Sequence, residues 1–227
     1  GTHGWKNMNE LFYVMNGTVN YIILRNFEGM PSEFDYNDVD LLVEDEKLAY
    51  IVKKDFSIVK DNSRTIEIKV GTNKITLNPN YLGDHYYDQK WEKDILKRRV
   101  LHDNGFYIPN KSDYFYTLLY HVIFHNRWKK IISIRDDYKK LLLDLAKEIK
   151  LEEVTEISLN NKNLSKIIIK KYMKESYYKE TDTISYRIRY NESSRLFKTS
   201  LFILKTHGIK HLSYAIKEKI KLILKLR

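Results

Sequence analysis

The pattern of apolar residues in the first third of the chain predicts short β-strands. Residues 21–24, Tyr-Ile-Ile-Leu, form an unbroken apolar run typical of a buried strand, and Gly29 and Pro31 then break the chain into a loop. Residues 38–43, Asp-Val-Asp-Leu-Leu-Val, predict a second strand. A β-hairpin is predicted over residues 65–78, because polar and apolar side chains alternate on both sides of a central Gly-Thr-Asn turn.

Helical spacing surrounds these strands and dominates the second half of the chain. Helices are predicted over residues 5–15, 46–54, 88–98, 131–150 and 163–178. A polar break is expected near residues 158–162, and Asp113 is the expected N-cap of another helix. The order of elements predicts an α+β fold with a mixed sheet flanked by helices. We expect one domain over residues 5–130 and a mostly helical domain over residues 131–227.

Composition narrows the class of protein. Hydrophobic residues make up 43% of the 227, with only 8 Gly and 3 Pro, so a globular chain is expected. Cys is absent, which excludes disulfides and thiolate-bound zinc and fits a cytoplasmic protein. Residues 1–10 lack the apolar core of a signal peptide, and no run reaches the roughly 20 apolar residues of a membrane span.

The net charge of +10 predicts an anionic partner, either nucleic acid, acidic lipid or a phosphorylated substrate. The charge is uneven, since residues 205–227 contain seven Lys or Arg and one acid, whereas residues 26–46 are acidic. Apolar residues recur at helical intervals among these lysines. A basic amphipathic C-terminus can lie on an anionic membrane surface, or it can pack on a helical bundle with its lysines in water.

Asp38 and Asp40 are the candidate metal ligands. Because side chains alternate along a strand, both carboxylates lie on one face while Val39 points into the core. Two like charges side by side cost free energy unless a cation lies between them, and Mg²⁺ prefers a few carboxylates completed by water and substrate phosphates. This pattern predicts phosphoryl or nucleotidyl transfer. The alternative is that Asp38 caps a turn and Asp40 is a solvated strand residue.

The order of these elements resembles a known enzyme family. An apolar strand, a Gly-containing loop and an Asp-x-Asp strand are similar to the opening of the nucleotidyltransferase fold. With residues 83–91, Gly-Asp-His-Tyr-Tyr-Asp-Gln-Lys-Trp, and residues 120–125, Tyr-His-Val-Ile-Phe-His, they resemble nucleotidyltransferase-fold proteins of bacterial capsule and surface-polysaccharide loci. Those proteins are related in outline to the LicD and fukutin phosphotransferases. The resemblance covers residues 10–130, and LicD-type enzymes carry a denser run of Asp than residues 35–40 do.

The resemblance implies roles for the loop after the first strand. Such enzymes place a phosphate-binding Gly-Ser turn there, whereas this chain has Arg25-Asn26, with Ser32 further along. We therefore predict Arg25, Asn26 and Ser32 as substrate-binding residues, with the planar guanidinium on a phosphate oxygen. By matching position, Asp38 and Asp40 would hold Mg²⁺ or Mn²⁺.

A general base must take the proton of the attacking hydroxyl. Asp84 and His85 are the nearest candidates by motif, followed by His121 and His125. The last two are four residues apart on one predicted helical face, a spacing that can hold zinc. No third zinc ligand is evident, and Val122 stands where a metalloprotease motif has Glu. The two imidazoles can instead pack in the core, or contact phosphate or acceptor.

Glu67 is the candidate third metal ligand. The superfamily's third acid usually lies on a strand beside the paired acids. Glu67 is on the first arm of the predicted hairpin, and Thr76 is on the second arm, where an acid would be expected. The alternative is that Glu67 is a solvent-facing strand residue, which would leave two carboxylates and one metal.

Two functions from different classes follow. The first is a metal-dependent transferase that moves a phospho-alcohol, such as ribitol phosphate, glycerol phosphate or phosphocholine, from a CDP-activated donor to a sugar hydroxyl. Its acceptor would be a cell-surface glycan, which can be lipid-linked, and its location the cytoplasm or inner face of the membrane. The second is a degenerate binding module without turnover, antitoxin-like or nucleic-acid-binding, which would use the basic helices.

Overall fold

A computed structural model describes residues 4–31, 38–44, 58–62, 65–84, 86–125 and 134–181. The chain divides into two compact units, Gly1–Thr181 and Asp182–Arg227, and every described residue belongs to the first. The predicted domain boundary at residue 130 and the basic amphipathic C-terminus stay predictions, and the latter lies outside the described residues. Within the described part, no helix is long and apolar enough to cross a bilayer.

The described residues form strands and helices in the following order. The strands are β1 Tyr21–Ile23, β2 Asp38–Val43, β3 Ile58–Asn62, β4 Thr65–Val70, β5 Asn73–Tyr81, β6 Val100–Leu101 and β7 Tyr107–Ile108. The α-helices are α1 Met8–Thr18, α2 Gln89–Lys97, α3 Lys111–Tyr120, α4 Asp136–Glu148, α5 Glu156–Asn160 and α6 Lys162–Glu175. A π-helix, His121–His125, directly follows α3. The helix predicted over residues 46–54 lies outside the described residues.

Five strands form one sheet in the order β1-β2-β5-β4-β3. The β2–β5 pair is parallel, and the β1–β2, β4–β5 and β3–β4 pairs are antiparallel. Strands β6 and β7 form a separate hairpin. The prediction of an α+β fold with a mixed sheet and flanking helices is therefore confirmed, and so is the β4–β5 hairpin.

The sheet has one apolar and one polar face where β2, β5 and β4 lie side by side. Val39 aligns with Leu77, and Leu77 with Ile66, and all three side chains are buried. One residue earlier on β2, Asp38 aligns with Thr76, and Thr76 with Glu67. None of these three is buried. Because alternate residues face opposite sides, this register places the polar side chains on the face opposite the core.

Helix starts follow local capping rules, with one correction. Asp88, the first residue of the helix predicted over residues 88–98, caps α2 by accepting from the backbone N–H of Lys90 and Trp91. Helix α3 begins earlier than the Asp113 N-cap predicted. Asn110 is its N-cap and accepts from the Asp113 N–H at 2.9 Å, while the Asp113 carboxylate binds Arg98 through two hydrogen bonds of 2.9 and 2.7 Å. Asn110 takes the N-cap position, while the buried Asp113 carboxylate pairs with the partly exposed Arg98.

The polar stretch predicted as a break near residues 158–162 contains the boundary between α5 and α6, at Asn161, and α5 ends within it. Thr155 and Ser158 form a reciprocal capping box, with hydrogen bonds of 2.8 and 3.2 Å between side chain and backbone. Ser165 then donates to the Ser158 carbonyl at 2.9 Å in a buried position. Serine and threonine therefore start a helix here, because their hydroxyls satisfy its terminal backbone groups.

Candidate functional site

The paired acids lie at the start of β2, between two neighbouring strands. Val39 is 2% exposed and anchors the strand in the core, while the Asp38 and Asp40 side chains leave the opposite face. Asp38 aligns with Thr76 and Asp40 with Asn78 across the parallel β2–β5 pair. The alternation that predicted two carboxylates on one face is thus realised in the sheet register.

Asn78 connects the two carboxylates. Its Nδ2 donates to Asp38 Oδ2 at 3.2 Å and, at the limit of a hydrogen bond, to Asp40 Oδ1 at 3.5 Å. Partial burial raises the pKa of Asp38, and the charge of Asp40 raises it further, while Arg25 and Asn78 act in the opposite direction. The Asp38 anion is therefore disfavoured, as expected for like charges that converge on a neutral amide.

Arg25 supplies a buried positive charge behind the acids. Its side chain is 6% exposed, and its Nη2 lies 2.7 Å from Asp40 Oδ2. The backbone places it there, because the N–H of Leu24 donates to the Asp40 carbonyl at 2.9 Å and extends the β1–β2 pairing by one residue. The predicted phosphate-binding arginine is thus in the site and paired with a candidate metal ligand.

Tyr86 extends this polar network away from the sheet. The same Arg25 Nη2 donates to the Tyr86 hydroxyl at 3.1 Å, and that hydroxyl lies 3.3 Å from Nδ1 of His121. His121 is the first residue of the π-helix, a rare element that is frequently found at functional sites. A continuous path therefore runs from Asp40 through Arg25 and Tyr86 to His121, and it brings three predicted site residues together.

Asp84 has its carboxylate engaged by backbone. One oxygen accepts from the Tyr81 N–H at 2.9 Å and the other from the Tyr86 N–H at 2.8 Å. Burial raises the pKa of Asp84 to about 6, against these two hydrogen bonds. The side chain holds the loop that carries Tyr86.

Glu92 is a residue that the motif analysis missed. It is fully buried on α2, and it accepts from the Gly83 N–H at 2.8 Å and the Tyr87 N–H at 2.9 Å. Burial raises the pKa of Glu92 to about 8. One sequence signal could have found it: Glu92 lies four residues before Leu96, on the side of the helix that is buried.

The other predicted residues lie further from the paired acids or outside the description. Asn26 has a left-handed backbone, with φ of 60°, and its Oδ1 accepts from the Tyr138 hydroxyl at 3.3 Å. Glu67 is on β4, separated from β2 by β5, and its Oε1 lies 3.6 Å from Lys74 Nζ. Ser32, His85 and the side chain of His125 lie outside the described residues.

The part of the chain that the structure describes contains no cluster of three or more acidic or histidine side chains placed to hold a metal ion. Opposite the paired acids, β5 presents Thr76 and Asn78. Glu67 as a third ligand and His121 with His125 as a zinc site stay predictions. The described geometry assembles two carboxylates, one amide and one guanidinium.

Comparison with known proteins gives a distant structural likeness. No family model matches the chain, and no curated protein sequence matches it. A solved structure described as the solution structure of the antibiotic-resistance factor ANT(2'')-Ia aligns with 75% of this chain and 90% of its own, at 8% identity and a TM-score of 0.39. A TM-score of that size does not establish a shared fold.

Proposed function

We propose that this protein is a metal-dependent transferase that acts on the phosphates of a nucleotide-activated donor, with Asp38 and Asp40 as the cation ligands. The observation that supports it is the convergence of both carboxylates on Asn78, on the polar face of the sheet, with a buried Arg25 on the far side of Asp40. If Asp38 and Asp40 were only solvent-exposed strand residues, no buried Arg25 would be expected beside them. If Arg25 and Asp40 were only a structural ion pair, no second acid would be expected at position 38.

The donor set suits a hard divalent cation. Two carboxylates provide oxygen ligands, and Mg²⁺ commonly uses only one or two carboxylates, with water and substrate phosphates completing its shell. Turning the Asn78 amide by half a rotation would present its oxygen in place of its nitrogen. When bound, Mg²⁺ or Mn²⁺ would neutralise charge on the donor's pyrophosphate.

The chain's own groups would orient the reactants. Arg25 pairs with Asp40 and brings positive charge to the site. His121, joined to Arg25 through Tyr86, is the favoured proton acceptor for an attacking hydroxyl among the described candidates. What supports His121 over Asp84 is that both Asp84 oxygens already accept backbone N–H groups.

The finer proposal is transfer of a phospho-alcohol from a CDP-activated donor to a sugar hydroxyl, for surface-glycan synthesis. It rests on the resemblance of residues 83–91 and 120–125 to surface-polysaccharide enzymes. A cytoplasmic enzyme with its basic C-terminus on an anionic membrane would suit a lipid-linked acceptor.

Release of CMP tests this directly. The chain is incubated with CDP-ribitol, CDP-glycerol or CDP-choline, with and without Mg²⁺, with a glycan acceptor present. We expect metal-dependent CMP release that is lost in Asp38→Asn. Asp103→Asn, which removes an exposed carboxylate between β6 and β7, is the matched control and should retain activity. Release that persists in Asp38→Asn or without metal would contradict the proposal.

A binding module without turnover is the second candidate, and one observation favours it. Arg25 already neutralises Asp40, and β5 supplies Thr76 and Asn78 rather than a third carboxylate. Such a protein would release no CMP from any donor. Tight RNA or DNA binding with a steep dependence on salt, and no nucleotide turnover, would support this candidate.

A further inference from the structure

The Arg25 guanidinium occupies a specific place in the candidate metal site. Asp40 Oδ2 is in contact with Arg25 Nη2 at 2.7 Å, while Asp40 Oδ1 faces Asn78. The two carboxylate oxygens of Asp40 are therefore turned to different partners. An acid shared between two metal ions would use its two oxygens in the same divided way.

Burial fixes the guanidinium in this position. Arg25 is 6% exposed, and its Nη2 contacts both Asp40 and the Tyr86 hydroxyl, the latter at 3.1 Å. A buried charge that lost its partner would be costly, so the ion pair persists unless the site rearranges. The backbone bond from Leu24 to Asp40 sets the same neighbours independently of the side chains.

The charge of the site is consistent with one divalent cation. Asp38 and Asp40 each contribute one negative charge and Arg25 one positive charge, so one divalent ion leaves a net charge of plus one. A site with three carboxylates and two divalent ions has the same net charge. Here the β5 positions that face the paired acids are the neutral Thr76 and Asn78. A second divalent ion would be added to a site that is already positive.

We infer that Arg25 takes the place of a second metal ion, so that the site binds one divalent cation, between Asp38 and Asp40 Oδ1, beside a built-in guanidinium. This inference rests on the proposed function. In this inference Arg25 positions Asp40 and supplies a positive charge beside the metal ion. Two carboxylates therefore suffice to hold that ion.

Counting bound Mn²⁺ tests the inference without any turnover assay. Mn²⁺ alone is titrated into the full chain, and bound ions per chain are measured by electron paramagnetic resonance and by calorimetry. We expect one ion in the wild type. Arg25→Met frees Asp40 Oδ2 and removes the positive charge, so we expect a second ion, or at least an approximately tenfold tighter first ion. Arg25→Lys retains the charge and should still bind one ion.

The possible results separate the inference from the proposed function. No bound Mn²⁺ in the wild type would overturn both. Two ions in the wild type, or one ion in Arg25→Met with unchanged affinity, would overturn only the inference. Circular dichroism checks that Arg25→Met folds. If it does not fold, Asn78→Asp replaces it: this variant adds a third carboxylate while Arg25 remains. It should bind one ion more tightly, and a second ion there would overturn the inference.

Discussion

Two pairs of carboxylates are linked through Tyr86, and their surroundings differ. The β2 pair, Asp38 and Asp40, faces a neutral amide and a guanidinium on the polar face of the sheet. The loop pair, Asp84 and Glu92, accepts four backbone N–H bonds from residues 81–87. The first pair can exchange a side-chain partner for a cation. The second already holds the backbone of its own loop.

This difference shows that the number of acidic residues near a site does not give the number of metal ligands in it. The sequence predicted Asp38 and Asp40 as metal ligands and Asp84 as a candidate general base, and it did not single out Glu92. What separates them is the partner of each oxygen. A carboxylate held by N–H donors is structural, because its removal leaves buried donors unsatisfied. The loop pair thus positions Tyr86, and through it the site.

The largest effects are expected at the β2 pair. Asp38→Asn and Asp40→Asn should each reduce metal-dependent turnover by about 100-fold, because each removes a ligand from a site that has only two. Their stabilities should differ. Asp40→Asn leaves the buried Arg25 without an anionic partner and should lower the free energy of unfolding by about 2 kcal/mol.

Asp38→Asn should leave the free energy of unfolding unchanged or raise it slightly. The pKa of Asp38 is raised in the folded state, first by burial and then by Asp40, so its charged form opposes folding at neutral pH. Urea denaturation at pH 7 measures both variants. Equal losses of stability in the two would contradict the assignment of Arg25 to Asp40.

The loop pair should give the chain a pH-dependent stability. The pKa of Glu92 is raised by burial from 4.5 to about 8, so its contribution is complete below pH 4.5 and is lost as the pH rises toward 8. Burial raises the pKa of Asp84 from 3.8 to about 6, so its contribution to stability is also lost as the pH rises, but over a lower pH range. The free energy of unfolding should therefore fall from pH 5 to pH 8, as measured by urea denaturation at several pH values.

Glu92→Gln isolates one part of that pH dependence. An amide NH₂ would face a backbone N–H where a carboxyl oxygen now accepts, which should cost about 1 to 3 kcal/mol at pH 5. The variant should lose the decline in stability between pH 6 and 8 and retain the part due to Asp84. A full decline up to pH 8 in Glu92→Gln would show that another group titrates there.

Tyr86→Phe should reduce stability and turnover by less than the variants above. Tyr86 connects the β2 pair to the loop pair. It removes the hydroxyl between Arg25 and His121, so about 1 kcal/mol of stability should be lost. Turnover should fall by less than in Asp40→Asn, because no metal ligand is removed. Tyr87→Phe is the matched control, since it removes a neighbouring hydroxyl that donates to the Thr117 carbonyl at 3.4 Å. Equal losses of turnover in both variants would contradict the role of Tyr86.

The sequence was informative where structure is local. The alternation of β2, the β4–β5 hairpin and the start of α2 near Asp88 depend on neighbouring residues, and all three were predicted. The partners of the site are distant in sequence: Asn78 is 38 residues from Asp40, and Tyr86 is 61 residues from Arg25. No periodicity reports such pairings, because strand order and register bring them together.

The smallest effect is expected from Glu67, which lies on β4 beyond β5. Two strand spacings separate the backbones of Glu67 and Asp38, roughly 10 Å. The Glu67 carboxylate lies 3.6 Å from Lys74 Nζ, in a partly exposed ion pair. Glu67→Gln should therefore change Mn²⁺ affinity by less than about twofold and stability by less than about 1 kcal/mol. Lys74→Gln, which removes the other partner, is the control and should be equally mild.

A large effect of Glu67→Gln on Mn²⁺ affinity would show that the β2 pair does not hold the cation alone. If Mn²⁺ affinity fell by about tenfold while Lys74→Gln left it unchanged, Glu67 would act as a third carboxylate, as its place on the hairpin first suggested. The cation would then be held by three carboxylates, and the inference that two carboxylates suffice beside Arg25 would be wrong. The same titration in Glu67→Gln thus decides whether two or three carboxylates hold the cation.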